Sequence, residues 1–135
     1  IGLALGFKAG IWNIGAEGFQ VVLQARVPQL ARDHLGDDLD VFLGSQGLER
    51  KDIGRWICHT GGPKVITAFQ QAIGLSDWDV ALTRNSLQEV GNLSSASVLY
   101  VLGDTIKQRK PAEGSYGVLM AMGPGFCCEM VLLQW

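Results

Sequence analysis

The spacing of apolar residues changes several times along the chain, and each change predicts a boundary between elements. Leu30, Leu35, Leu39, Phe42 and Leu43 recur at helical intervals, which predicts one or two amphipathic helices over residues 28–43, broken near Gly36. Just upstream, Phe19-Gln20-Val21-Val22-Leu23-Gln24-Ala25 is rich in apolar and β-branched residues and runs to Val27-Pro28. That composition predicts a strand, followed by a helix with Pro28 at its start. Residues 1–18 hold Gly2, Gly6, Gly10, Gly15 and Gly18 with no sustained period, so they read as loop with a short strand near residues 3–7.

Downstream the pattern is denser. After the polar link Glu49-Arg50-Lys51-Asp52, residues 53–58 read as a strand, apolar from Trp56 to Cys58, that ends at His59, and Gly61-Gly62 then hands the chain to a helix opening with Pro63. Val65, Ile66, Phe69 and Ile73 keep helical spacing until Gly74 stops it. A turn over residues 76–79 leads to a short helix over 83–90, ended by Gly91. Asn92 stands in a helix-cap position before a long helix over 93–107, which places Val98, Leu99, Val101 and Leu102 inside. The small residues Ser94, Ser95, Ala96 and Ser97 at its start allow close approach to neighbouring backbone, so this reads as the central buried helix. Two final strands, 116–122 and 126–133, are joined as a hairpin by Gly123-Pro124-Gly125. The element order predicts an α/β fold: a mixed β-sheet with helices on both faces.

Composition narrows the classes. A chain of 135 residues, 47% hydrophobic and 18% charged, is sized for one domain with a real core. Its net charge of −2 and the lack of any basic cluster beyond Lys107-Gln108-Arg109-Lys110 argue against nucleic acid as a partner. Three cysteines, with Cys127 and Cys128 adjacent, make neither a disulfide framework nor a C-x-x-C metal pair, and a reducing cytoplasm is expected. No apolar run is long enough to span a bilayer, and the opening residues lack the basic region of a signal peptide. Because the chain begins with Ile1 rather than Met, it is expected to be processed or to be part of a larger polypeptide. Asp33, Asp37, Asp38 and Asp40 fit neither a calcium loop nor a carboxylate dyad and read as a solvated helix face; His34 among them is given no role.

Two polar residues on rigid elements carry the candidate chemistry. A neutral imidazole at His59 and a carboxamide at Asn92 can each donate a hydrogen bond, and donors converging on one oxygen stabilise the charge that grows on a carbonyl during acyl transfer or decarboxylation. The positive end of the helix behind Asn92 adds to that field. Taken singly, a strand-end His also reads as a structural residue satisfied by backbone, and Asn as a plain cap. A nucleophile is missing: Cys58 and His59 are strand neighbours that point to opposite faces, and none of Cys58, Cys127 and Cys128 has the helix-start setting that activates a thiol. Cys58 is expected to be a small buried apolar residue.

Read together, Trp56-Ile57-Cys58-His59-Thr60-Gly61-Gly62-Pro63 resembles the W-x-x-H-x-G-G-P of the type III polyketide synthases, the chalcone-synthase-like branch of the thiolase superfamily. Gly91-Asn92-Leu93-Ser94-Ser95-Ala96 resembles the family's G-N-x-S-S-A, and Gly123-Pro124-Gly125 the end of its G-F-G-P-G loop. The likeness runs from about Ile11 to Trp135 and covers residues 1–10 least. It implies a thiolase-like C-terminal domain over residues 1–135, one half of an enzyme whose N-terminal half carries the nucleophilic cysteine. It further implies a decarboxylative condensation of malonyl-CoA onto an acyl-CoA starter, followed by cyclisation to pyrone- or resorcinol-type products, in a cytoplasmic homodimer that needs no metal or redox cofactor. His59 and Asn92 would be catalytic. Gly61, Gly62 and Lys64 would line the coenzyme A arm, with Ser94 beside Asn92. Val21 would stand at the gate where the family has phenylalanine, and Met122, Gly123, Pro124 and Gly125 would shape the cavity. Ala121-Met122 replaces the family's Gly-Phe, which predicts an altered cavity floor. Two alternatives stand beside this reading: a ketoacyl synthase III-like acyltransferase, which also uses His and Asn, and a non-catalytic thiolase-fold half.

Overall fold

The computed structural model describes the backbone of residues 7–10, 20–123 and 127–135, and the side chains of residues 28–122 and 128–135. In chain order the elements are β1 (Phe7–Gly10), α1 (Gln20–Gly44), a single 3-10 turn (Arg50–Asp52), β2 (Ile53–Cys58), α2 (Pro63–Ile73), α3 (Asp77–Val90), α4 (Ala96–Gln108), β3 (Tyr116–Gly123) and β4 (Cys127–Gln134). The described strands make one mixed sheet in the order β1-β4-β3-β2, parallel between β2 and β3 and antiparallel at the other two junctions.

Strand alternation divides the core into two layers. Trp56, Cys58, Val118, Met120, Cys128, Met130 and Leu132 pack with Ala31, Leu35, Leu39 and Phe42 of α1 and Ile66, Phe69 and Ile73 of α2. The intervening residues Ile57, Leu119, Val131 and Leu133 pack on the opposite face with Val98 and Val101 of α4 and Leu82 of α3. Helices therefore cover both faces of the sheet, as the thiolase-like reading requires. Ile53 shares the face of Trp56 although three positions separate them, because the β2–β3 register shifts between Ile53 and Arg55 and leaves Gly54 as an unpaired extra residue.

The direction of α4 follows from its connections. A short link joins its C-terminal end to the start of β3, so α4 runs antiparallel to β3, and its N-terminus lies at the end of the sheet where β2 and β3 finish. Arg109, just past α4, stacks on Trp78 of α3 at 4.2 Å and bonds the Trp78 carbonyl. Arg55 of β2 donates from Nε to the Arg109 carbonyl at 3.1 Å and lies 5.1 Å from the same ring. These contacts tie α3, α4 and β2 together at the end remote from His59.

Several boundaries differ from expectation. Residues 20–25, read as a strand, are helical, and α1 runs unbroken through both Pro28 and Gly36. Val21 is therefore a helix residue, and its side chain lies outside the described residues, as do Phe19 and most of residues 1–18. Of the short strand expected near residues 3–7 only Phe7 lies among the described residues, and there it opens β1, which runs to Gly10. Gly36 is explained by packing: a Cβ there would come within 3.0 Å of the Ala72 carbonyl of α2, and Arg50 donates to the Gly36 carbonyl at 2.9 Å while pairing with Asp40. The helix expected over 83–90 starts earlier, at Asp77, because Ser76 and Asp79 form a capping box. Conversely, α4 starts at Ala96 rather than Leu93, and Leu99, expected inside, is 62% exposed. The strand over 53–58, the helix from Pro63 to Gly74 and the terminal antiparallel hairpin stand as predicted.

Candidate active site

β2 ends in two fully buried residues, Ile57 and Cys58, and the ladder continues one residue further through the His59 N–H, which donates to the Met120 carbonyl at 2.9 Å. That bond fixes the backbone from which the imidazole projects, and alternation sends His59 to the face of Ile57, the face covered by α4. His59 is only 8% exposed, and its Nδ1 is buried with no hydrogen-bond partner among the described residues. Burial pushes its pKa below the ordinary histidine value. The ring is thus held neutral near pH 7, able to donate from one nitrogen. Thr60, fully buried beside it, has a hydroxyl that also lacks a partner among the described residues.

Gly61 and Gly62 turn the chain into α2. Gly62 precedes the helix with φ 135°, a conformation that side-chain-bearing residues rarely adopt, and its carbonyl accepts from Val65 and Ile66. Pro63 occupies the first helical turn, where its missing N–H is no loss. Lys64 is exposed on the same turn.

Asn92 lies in the link between α3 and α4 and makes an Asx turn, not an N-cap. Its Oδ1 accepts from the Ser94 N–H at 2.9 Å and from the Ser97 hydroxyl at 3.5 Å. A backbone N–H can only donate, so the bond to Ser94 identifies which end of the carboxamide is oxygen. Both Nδ2 hydrogens are left without a partner among the described residues. Ser94 is the one described non-glycine residue with positive φ, at 57°, which wraps the backbone around Oδ1. Since α4 begins at the end of the sheet where β2 finishes and covers the face to which His59 points, the fold brings His59, Asn92, Ser94 and the Gly61-Gly62 turn to one end of one face.

The remaining predicted residues divide. Met122 is half-buried and packs with Met120 and Cys128 on the α1/α2 face, whereas strand alternation gives Ala121 the face of His59. Gly123 closes β3 opposite Cys127, while Pro124 and Gly125 lie outside the described residues. The Cys58 thiol, fully buried, is pushed up to about 12, chiefly by desolvation and secondarily by Cys128, which makes it inert as a nucleophile. Asp33 accepts from Gln29 and Asp40 pairs with Arg50. Among the described residues no group of three His, Cys, Asp or Glu side chains is placed to hold a metal ion, and no helix is long and apolar enough to cross a membrane. Sequence reasoning passed over Ser97, reading it only as a small residue. Its signal was a hydroxyl five positions after Asn92, meaningful only once the Asx turn brings the two together.

Comparison with known proteins follows the same residues. Residues 8–135 match the family of chalcone and stilbene synthases, C-terminal domain. The chain is 55% identical over 124 residues to a 1,3,6,8-tetrahydroxynaphthalene synthase of Streptomyces peucetius subsp. caesius, covering 92% of this chain and 33% of that protein. It is 40% identical over 124 residues to a 3,5-dihydroxyphenylacetyl-CoA synthase of Amycolatopsis orientalis, with 92% and 34% covered. Among solved structures it is similar to the 1,3,6,8-tetrahydroxynaphthalene synthase of Streptomyces coelicolor A3(2), a bacterial type III polyketide synthase, with a TM-score of 0.83 at 28% identity over 99% of this chain and 41% of that one. It is also similar to PKS-I of the brown alga Ectocarpus siliculosus, with a TM-score of 0.74 at 31% identity over 81% of this chain and 30% of that one. The chain thus spans about a third of the length of the curated relatives it matches.

Proposed function

The chain belongs to the chalcone and stilbene synthase family, the type III polyketide synthases, and from that premise we propose that it supplies the two oxyanion donors of a decarboxylative condensation, His59 and Asn92. The observation that carries this reading is the orientation of Asn92. Its oxygen is engaged by Ser94 and Ser97, which leaves its two N–H donors available on an exposed side chain at the end of the sheet to which β2 delivers a neutral imidazole.

In this scheme an acyl group from a coenzyme A starter sits as a thioester on a cysteine in an N-terminal half of the complete enzyme. The thioester oxygen of malonyl-CoA lies between His59 and Asn92. As the bond to carbon dioxide breaks, its electron pair flows onto that oxygen, and both donors stabilise the developing enolate without themselves transferring a proton. The enolate carbon then attacks the acyl thioester, forming the new carbon–carbon bond and releasing the cysteine thiolate. Repetition extends the chain, which cyclises to pyrone- or resorcinol-type products. Gly61, Gly62 and Lys64 border the coenzyme A arm, where glycine backbone and an exposed lysine suit a phosphate-bearing ligand. The step asks for hydrogen-bond donors and a thiolate, and coenzyme A thioesters are the substrates.

The need for a second half is supported by α4. Its inner stripe, Ser97, Val98, Val101 and Thr105, is buried against the sheet, while Leu99, Tyr100 and Ile106 on the outer stripe are 62%, 51% and 48% exposed. Large apolar side chains on the outer side of a helix whose inner side is already buried suit a further packing partner.

The complete protein, given malonyl-CoA with a series of acyl-CoA starters, is expected to release carbon dioxide and yield products, read by mass spectrometry, that grow by two carbons per extension. Absence of both decarboxylation and extended products with every starter would overturn the proposal and favour a non-catalytic half.

A further inference from the structure

We propose that Ser97 is a positioning residue for the condensation, acting through Asn92; the inference rests on the reading of Asn92 as an oxyanion donor. Ser97 is the second residue of α4 and is fully buried. Its Oγ accepts the Leu93 N–H at 2.7 Å, and its N–H is itself tied to the Ser94 carbonyl at 3.1 Å. A hydroxyl carries one proton, and with the Leu93 amide occupying a lone pair of Oγ, the acceptor that the hydroxyl faces is Asn92 Oδ1, at a long 3.5 Å.

The consequence is geometric. A single bond from the Ser94 N–H holds the position of Oδ1 but leaves the carboxamide free to swing about it. A second donor from a different direction, even at 3.5 Å, favours one plane of the amide over others, and with it one direction of the two Nδ2 hydrogens. The segment gives up ordinary backbone geometry to make this arrangement: Ser94 takes a left-handed φ of 57°, which for a residue with a side chain persists only when the surroundings over-determine it. Ser97 is the buried, rigid member of that surround, since it belongs to a helix whose inner face is locked into the sheet by Val98 and Val101. It touches no substrate. It sets where the donor points, and a transition-state donor that swings loses its preorganisation.

The test uses the complete enzyme with Ser97→Ala, Ser97→Cys, Asn92→Ala and the double variant Ser97→Ala/Asn92→Ala, measuring kcat and KM for malonyl-CoA decarboxylation and the thermal midpoint. Cysteine keeps the volume of the buried site but is a weak donor, so it isolates the hydrogen bond from any packing defect caused by alanine. Both single changes at Ser97 are expected to lower kcat about tenfold with KM little changed, the scale of one modest hydrogen bond. In the Asn92→Ala background, Ser97→Ala is expected to lower the residual rate no further, because the group it orients is gone. An equal loss in both backgrounds would mean that Ser97 acts through the fold at large and would overturn the proposal, as would an unchanged kcat in Ser97→Ala and Ser97→Cys. If Asn92→Ala alone leaves decarboxylation intact, the donor reading of Asn92 fails and takes this inference with it. If Asn92→Ala is slow while the Ser97 variants are not, only the inference about Ser97 falls.

Discussion

Gly61 stands against the imidazole of His59: a Cβ placed on Gly61 would lie 3.4 Å from His59 Cδ2 and 3.2 Å from Val65 Cγ1. The residue is a spacer between the first turn of α2 and the ring. Its backbone, unlike that of Gly62, needs no left-handed conformation, so alanine fits the chain but presses on its neighbours. Gly61→Ala is expected to lower decarboxylation several-fold in the complete enzyme with little change in thermal midpoint. Adding Val65→Ala makes room for the new methyl on the helix side and is expected to restore most of the rate. A rate that stays low in the double variant would mean that the methyl acts on something other than ring position.

The Asx turn at Asn92 separates two roles that an alanine scan would confuse. Asn92→Ala removes both the outward Nδ2 donors and the Oδ1 that holds Ser94 and Ser97, so it is expected to cost about 10²-fold in decarboxylation and about 1 kcal/mol in stability together. Asn92→Asp keeps an acceptor for Ser94 and Ser97 and places a carboxylate at a helix start, where negative charge is favourable, so the fold is expected to keep its thermal midpoint. It lacks the donor, and the rate is expected to fall at least as far as in Asn92→Ala. His59→Ala should cost a similar factor, and His59→Ala/Asn92→Ala far less than the product of the two, since residues acting on one oxyanion are not additive. A normal rate in Asn92→Asp would remove Nδ2 from the mechanism.

The parts legible in the sequence were those whose cues are local. β2 and α2 carry their own punctuation: an apolar run with a polar link before it, Gly61-Gly62 after it, proline at the helix start and Gly74 in a left-handed conformation at its end. The errors came where a distant element decides. Gly36 looked like a break, yet it is where α1 and α2 approach too closely for a side chain. Residues 20–25 carry a short apolar run that periodicity cannot divide between strand and helix, and continuity with α1 decides for helix. Proline inside that helix contradicts the usual rule, because it removes a backbone donor and crowds the preceding turn.

The candidate site was legible in residue identity and partly illegible in geometry. His59 and Asn92 were picked out by their motifs, but the sequence placed Asn92 as a cap on a helix starting at Leu93, whereas the helix starts at Ala96 and the intervening turn wraps around the carboxamide. Ser97 was invisible because its meaning depends on that turn. The sequence did not show which face of the sheet Met122 takes: strand parity sends it to the α1/α2 face. Leu99 was assigned inside because the run Val98-Leu99-Tyr100-Val101-Leu102 is apolar at every position and does not by itself tell the inner stripe from the outer one.

His59 predicts a pH signature. Burial lowers its pKa below 6.5, so in the folded protein the ring stays neutral at pH values where the unfolded chain already binds a proton. The unfolded state therefore holds more protons as pH falls below about 6.5, and stability declines there at up to about 1.4 kcal/mol per pH unit, until the folded-state ring also protonates. Above pH 6.5 the residue contributes no slope. Decarboxylation is expected to persist below pH 6.5 for the same reason, with its acid limb set by the lowered pKa. His59→Gln, which keeps an N–H donor that does not titrate, should retain part of the rate and shed both the acid limb and this share of the stability loss. An acid limb unchanged in His59→Gln would assign it to another group.

The outer stripe of α4 predicts how residues 1–135 behave alone. Leu99 and Ile106, seven residues apart, share one face of α4 and are 62% and 48% exposed, with Tyr100 flanking them at 51% and Leu93 and Val90 adding 43% and 38% exposure at the end where α4 begins. Large exposed apolar side chains at regular spacing on one helix form a contiguous patch, and such patches drive association. The isolated chain is expected to self-associate at micromolar concentration, in a manner favoured by added sulfate, as burial of apolar surface requires. Leu99→Glu combined with Ile106→Glu changes two outward positions without touching Val98 or Val101, so it should leave helix content intact and give a monodisperse monomer by light scattering. In the complete enzyme the same pair of changes is expected to be severely destabilising, because two carboxylates would be buried without partners where the second half packs. A complete enzyme that tolerates both glutamates with an unchanged thermal midpoint would mean that the outer face of α4 stays open to water there, and the two-half reading would lose its structural support.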